Sequence, residues 1–148
     1  MISNILLAVD GSPQSSKAVK IASQIAQGVN AKLVLIHVVK LDKMPEVMKQ
    51  FVKNEHIPGT TNIDVLMNAA QHMLKNDVKR AKTAGVSEVE VEVEQGSIAR
   101  TIIATATRHN SDLIVLGSRG MGDIEGLLRG GVSQRVETLA KCPVLIVK

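Results

Sequence analysis

The 148-residue chain is 45% hydrophobic and 22% charged, with 18 Lys and Arg against 14 Asp and Glu and a formal net charge of +4. That length suits a single domain, residues 1–148, able to bury a continuous core without disulfides or metals, and the apolar share excludes a disordered chain. Phe51 is the one aromatic residue, with no Trp or Tyr, so single-stranded nucleic acid has no rings on which to stack.

In chain order, Ile5-Leu6-Leu7-Ala8-Val9 is a continuous apolar run, as expected of a strand covered on both faces. Ser12-Pro13 opens a helix, Ser as N-cap and Pro at the first helical position. Ala18, Ile21, Ala22, Ile25, Ala26 and Val29 recur at helical spacing, and Gly28 marks the expected end. Leu33 to Val39 reads as a second buried strand, with His37 packed or hydrogen-bonded inside it. Leu41–Asn62 is longer than an ordinary connection and reads as a surface excursion, with Val47, Met48, Phe51 and Val52 able to form one amphipathic turn. A second helix carries Leu66, Ala69, Ala70, Met73, Leu74, Val78 and Ala81 and stops at Gly85.

Glu88-Val89-Glu90-Val91-Glu92-Val93-Glu94 alternates strictly, one face apolar and the other acidic, which suits a strand at a sheet edge. Ser97 caps a third helix with Ile98, Ile102, Ile103 and Ala106 on its inner face. Leu113 to Leu116 is the fourth strand and Val144 to Val147 the fifth. Between them Val132, Val136, Leu139 and Ala140 form the inner face of a last helix. Strand–helix alternation throughout predicts an α/β fold: a doubly wound, five-stranded parallel sheet, order 3-2-1-4-5, with helices on both faces.

The basic balance does not form a nucleic-acid footprint. Residues 1–74 carry seven Lys against five acids, and residues 75–148 carry eleven Lys and Arg against nine acids, with the signs interleaved. The single Cys142 forms no intrachain disulfide and fits a reducing, cytoplasmic compartment. The N-terminus reads as a strand rather than a signal peptide, and no apolar stretch approaches the roughly 20 residues of a membrane span.

In an open α/β sheet, ligands bind beyond the carboxyl ends of the strands, where the order reverses. Here the reversal falls between the first and fourth strands, which selects Asp10-Gly11-Ser12 and the segment after Leu116. Six of the eleven glycines fall within Gly117–Gly131. Glycines let backbone N–H groups approach an anion, and a following helix N-terminus adds donors and a favourable dipole. A Walker A loop is excluded because no Lys follows these glycines, and Glu125 stands where Gly120-Met121-Gly122 would need the third glycine of a dinucleotide fingerprint.

The run Gly117-x2-Gly120-x9-Gly130 resembles the ATP-binding signature of the universal stress protein family, and Val9-Asp10-Gly11-Ser12 and Cys142-Pro143-Val144-Leu145-Ile146-Val147 are similar to that family's ends. The resemblance implies an adenine nucleotide alpha-hydrolase-like domain, a homodimer, that binds ATP, ADP or AMP. It implies Asp10 at the ribose hydroxyls and Ala8 and Val38 against the adenine. Leu116 and Gly117 line the ribose and first phosphate. Gly120 and Gly130 admit amides to the phosphates, and Val132 and Ser133 open the last helix, with the Ser133 hydroxyl available to a phosphate. The family pattern has Ser or Thr directly after its third glycine, where this chain has Gly131, so one hydroxyl is lost. A hydrogen bond to a charged group is worth roughly 1.5–3 kcal/mol, which makes the deficit about tenfold to a hundredfold in affinity.

From the residues themselves, Arg119 projects from the glycine loop and either screens phosphate charge or lies solvated. Asp10 and Asp123 are candidates for holding Mg²⁺ with the phosphates. His37, His56, His72 and His109 lack metal-ligand spacing, and Cys142 reads as a small hydrophobe. No nucleophile, base or carboxylate pair stands out beside the glycine loop. The functional expectation is therefore a nucleotide-binding regulatory protein of the stress response. The alternatives are a slow ATPase or self-phosphorylating enzyme in the same pocket, and a dimeric protein that no longer holds nucleotide. Val144–Val147 at the free sheet edge is the expected dimer seam.

Overall fold

The structure, a computed structural model, describes residues 1–40, 46–59, 62–118 and 131–148. Five strands, β1 (Asn4–Ala8), β2 (Lys32–Val39), β3 (Val89–Gln95), β4 (Leu113–Gly117) and β5 (Val144–Val147), form one sheet in the order β3-β2-β1-β4-β5. Every pairing is parallel. The helices are α1 (Pro13–Val29), α2 (Glu46–Asn54), α3 (Asn62–Thr83), α4 (Ile98–Arg108) and α5 (Gly131–Leu139).

The continuous apolar runs work as expected of strands buried on both sides, because successive side chains point to opposite faces. Ile5, Leu7, Val9, Leu33, Leu35, Leu113 and Val115 pack with Ala18, Ala22, Ala70 and Leu74 of α1 and α3. Leu6, Val34, Ile36, Val38, Ile114 and Leu116 pack with Ala99, Ile102 and Ala106 of α4 and Val136 of α5. Burying each such Leu or Ile contributes about 1.5–3 kcal/mol. The small residues of α1 let that helix lie close to the sheet.

Several local expectations shift. Helix α1 runs through Gly28 and is closed instead by Asn30 in the left-handed region (φ 55°), whose N–H reaches the Ala26 and Gln27 carbonyls. Asn tolerates that conformation as a C-cap because its short polar side chain can bond locally. Its buried stripe includes Ser15, Val19 and Ser23, while Val29 is exposed. In α5, Ser133 and Val136 are buried and Leu139 is exposed, while Val132 before it and Ala140 after it pack against the α4/α5-side core.

The segment expected as a surface excursion is corrected. Residues 46–54 form the nine-residue helix α2, with Met48 and, just beyond it, Ile57 buried in the α1/α3-side core and Phe51 and Val52 packed against it. The four apolar residues named from the sequence share a helix rather than one turn, and the core beneath them selects the helix. Among the described residues, no helix is long and apolar enough to cross a membrane.

Candidate functional site

Parallel strands all present their carboxyl ends at one rim, and the strand order reverses there between β1 and β4. Ala8 is level with Ile36 in β2, and the pairing of Leu7 with Val115 brings Ala8 level with Leu116 in β4. Val38 lies two residues further along β2. All three belong to the face covered by α4 and α5. The residues expected to meet an adenine and ribose are thus on three adjacent strands, on one face and at one rim.

The Asp10 turn closes the first side of the crevice. Asp10 Oδ1 accepts the Ser12 N–H at 2.8 Å, and the Asp10 N–H donates to Ser15 Oγ at 3.1 Å. Ser12 Oγ accepts the Ser15 N–H at 3.1 Å, capping α1. Gly11 between them has φ +82°, where an added Cβ would be strained and 3.1 Å from Met73 Sδ. Asp10 therefore forms the turn, which fixes one carboxylate oxygen at the head of α1, where the helix dipole favours negative charge. Ser15, buried beneath this turn, was not singled out from the sequence. Its position three residues after the Ser12 cap is the signal, since that spacing lets two side chains share the first-turn donors.

The second side is the end of β4. The Ser118 N–H donates to the Val147 carbonyl at 2.7 Å, extending the pairing of Gly117 with Val147. The first turn of α5 is drawn to the same place: the buried Ser133 hydroxyl donates to the Ser118 carbonyl at 3.3 Å. That bond ties the first turn of α5 to the end of β4. The donors α5 brings to the rim are its first backbone N–H groups, at Gly131, Val132 and Ser133. Gly131 is exposed, and a Cβ added there meets nothing within 4 Å among the described residues. Arg119, Gly120 and Gly130 lie outside the described residues, as does Asp123, the second carboxylate considered for Mg²⁺.

His37 lies below the Asp10 turn, on the face that also carries Leu35 and Val39, with Nδ1 2.7 Å from the Val9 carbonyl oxygen. Burial pushes its pKa below the ordinary histidine value, against the opposing pull of the Val9 carbonyl and Asp10. A separate cavity of about 170 Å³ lies between α1, α2 and α3, bordered by Gly11, Ser15, Met48, Phe51, Met73 and Asp77. Asp77 is buried there, with its carboxyl pushed up by burial against the influence of Arg80 3.2 Å away. Neither α2 nor Asp77 was connected to a cavity by the sequence pattern.

The remaining candidates have structural surroundings. His109 meets Glu92 at the end of α4. Partial burial pushes the Cys142 thiol up against the pull of its own backbone N–H, with Asp112 adding to the rise. Among the described residues, no three His, Cys, Asp or Glu side chains gather to hold a metal ion.

The model of the universal stress protein family matches residues 1–148. Universal stress protein YxiE of Bacillus subtilis is 31% identical over 157 residues, with all of both chains covered. Universal stress protein UspA from Lactobacillus plantarum superposes with a TM-score of 0.82 at 24% identity, covering 99% of this chain and 98% of that one. A universal stress protein crystallised in complex with cAMP superposes with a TM-score of 0.71 at 26% identity, covering 99% and 97%.

Proposed function

We propose that this chain, which belongs to the universal stress protein family, is an adenine-nucleotide-binding regulatory protein that takes ATP or a related adenylate at the β1/β4 rim. The observation that carries this reading is the convergence of the Asp10 turn, the Gly117–Ser118 strand end and the first turn of α5 at the point where strand order reverses. A carboxylate there suits ribose hydroxyls, which donate, and the amides at the helix head suit phosphate oxygens, which accept. The apolar rim residues Ala8, Val38 and Leu116 suit a purine face. The cAMP complex of a related protein supports the ligand class.

The protein works as a binding module whose occupancy reports adenylate state, in the cytoplasm, where the lone Cys142 stays reduced. It acts as a homodimer through the outer edge of β5, where Val144, Leu145 and Ile146 are half-buried in the single chain and the backbone edge is unpaired among the described residues. Mg²⁺ accompanies a bound triphosphate through the phosphates themselves.

Mass spectrometry of the denatured, freshly purified protein, followed by calorimetric titration with ATP, ADP and AMP, tests the reading. A co-purified adenylate, or binding that Gly130→Asp abolishes, is the expected result. No binding of any of the three at millimolar concentration overturns it. Steady phosphate release above the Gly130→Asp background would replace the binding module with a hydrolase.

A further inference from the structure

We propose that His37 is a positioning residue for the nucleotide site, which sets the place of Asp10 at the rim through the Val9 carbonyl. A carbonyl oxygen only accepts, so the 2.7 Å contact requires the proton on Nδ1 and makes the imidazole the donor. Val9 is the first residue beyond the last paired position of β1, Ala8 with Ile36. Its N–H still donates to the Ile36 carbonyl at 2.9 Å. Its carbonyl is held by the His37 side chain. The chain leaves the sheet at a residue held through both of its backbone polar groups, and the next residue is Asp10.

From there the grip is relayed. The Asp10 N–H reaches Ser15 Oγ, Asp10 Oδ1 takes the Ser12 N–H, and Ser12 Oγ takes the Ser15 N–H. With the Val9–Asp10 peptide fixed, the carboxylate has one place to stand. The residue type also argues for a task beyond packing. After Lys32, the rest of the strand is Leu33, Val34, Leu35, Ile36, Val38 and Val39, and an imidazole only 6% exposed among them costs desolvation that a leucine would not. Burial keeps the ring neutral, the form with a single N–H, and that N–H is spent on Val9.

This inference rests on the adenylate reading for its ligand and on contacts within the chain for its geometry, and the test separates the two. Affinities for AMP and for 2′,3′-dideoxy-AMP are measured by calorimetry for the native protein, His37→Leu, His37→Asn and Asp10→Asn. Asn keeps an N–H near the Nδ1 position. The native preference for AMP is expected to be about tenfold or more, the worth of hydroxyl bonds to a carboxylate. In His37→Leu that preference falls to within about twofold, as in Asp10→Asn, and the double variant loses nothing further. His37→Asn retains it. Equal weakening of both ligands by His37→Leu, with the ratio intact, overturns the proposal.

If the native protein binds neither ligand, amide exchange of the ligand-free protein decides the positioning role, and the adenylate reading fails only if ATP and ADP go unbound as well. The Asp10 and Ser12 amides should then exchange about tenfold faster in His37→Leu than in His37→Asn, with Ile5–Leu7 unchanged. No difference overturns the proposal. Should His37→Leu fail to fold, His37→Met takes its place in both arms.

Discussion

At the scale of single residues, the rim combines positions that carry chemistry with positions that merely permit it. Gly131 is of the second kind. It opens α5 where family members carry Ser or Thr, and the space around its missing Cβ is open among the described residues. Gly131→Ser should therefore fit without repacking and supply the absent hydroxyl. The gain expected for ATP is about tenfold to a hundredfold, from roughly 1.5–3 kcal/mol for a bond to a charged group. Calorimetric titration measures it, and an unchanged affinity would show that the backbone N–H already does all the work. Ser133 is of a third kind, since its hydroxyl ties α5 to Ser118. Its substitution by Ala should loosen the approach of α5 to β4 rather than delete a phosphate ligand. Asp10 shows why a residue can be identified from sequence and its role still be incomplete. Its Oδ1 takes the Ser12 N–H while the side chain stays only partly buried at the rim.

At the scale of elements, α2 departed most from a reading by pattern. Helix α2 sits on the core through Met48, which is 2% exposed. Truncating Met48 to Ala should cost about 2 kcal/mol or more in urea unfolding, within the range for buried Met, whereas a loosely attached surface segment would tolerate it. Strand β3 was legible as an edge strand, and its acidic side chains, though partly exposed, are paired. Lys32 pairs with Glu90 at 2.7 Å, and Arg108 and His109 at the end of α4 pair with Glu92. Burial raises the Glu92 carboxyl, but these partners outweigh it and hold its pKa below the ordinary glutamate value of 4.5. A carboxylate depressed in the folded state contributes stability above its unfolded pKa and loses it as pH falls through the folded one. Stability should thus decline below about pH 4.5, and Glu92→Gln should flatten that part of the profile. Urea midpoints measured from pH 6 to pH 3 would reveal it, and an unaltered slope would assign the acid sensitivity elsewhere.

At the scale of the whole molecule, the sheet has two edges with opposite treatment. The β3 edge is screened by charge, as edges that must avoid pairing are. The β5 edge carries only Val, Leu and Ile side chains, which suits isologous pairing of two copies. If the dimer forms there, mass action requires the melting temperature to rise with protein concentration over the micromolar range. Light scattering would give twice the chain mass. A concentration-independent transition with the mass of one chain would remove the dimer and leave the nucleotide site untouched.

Strand identity, strand order and the location of the rim were all written in the sequence. Continuous apolar runs can only be satisfied by burial on both faces, and an alternating acidic strand can only be satisfied at an edge. Gly117 and Gly131, the described ends of the glycine-rich segment, close β4 and open α5 at that rim. Helix ends, the docking of α2 and the engagements of Ser15, His37 and Ser133 were decided by tertiary structure alone. Those depend on which carbonyl or core gap lies opposite once the chain has closed. A hydrogen bond between His37 and Val9, 28 residues apart, has no local period to announce it.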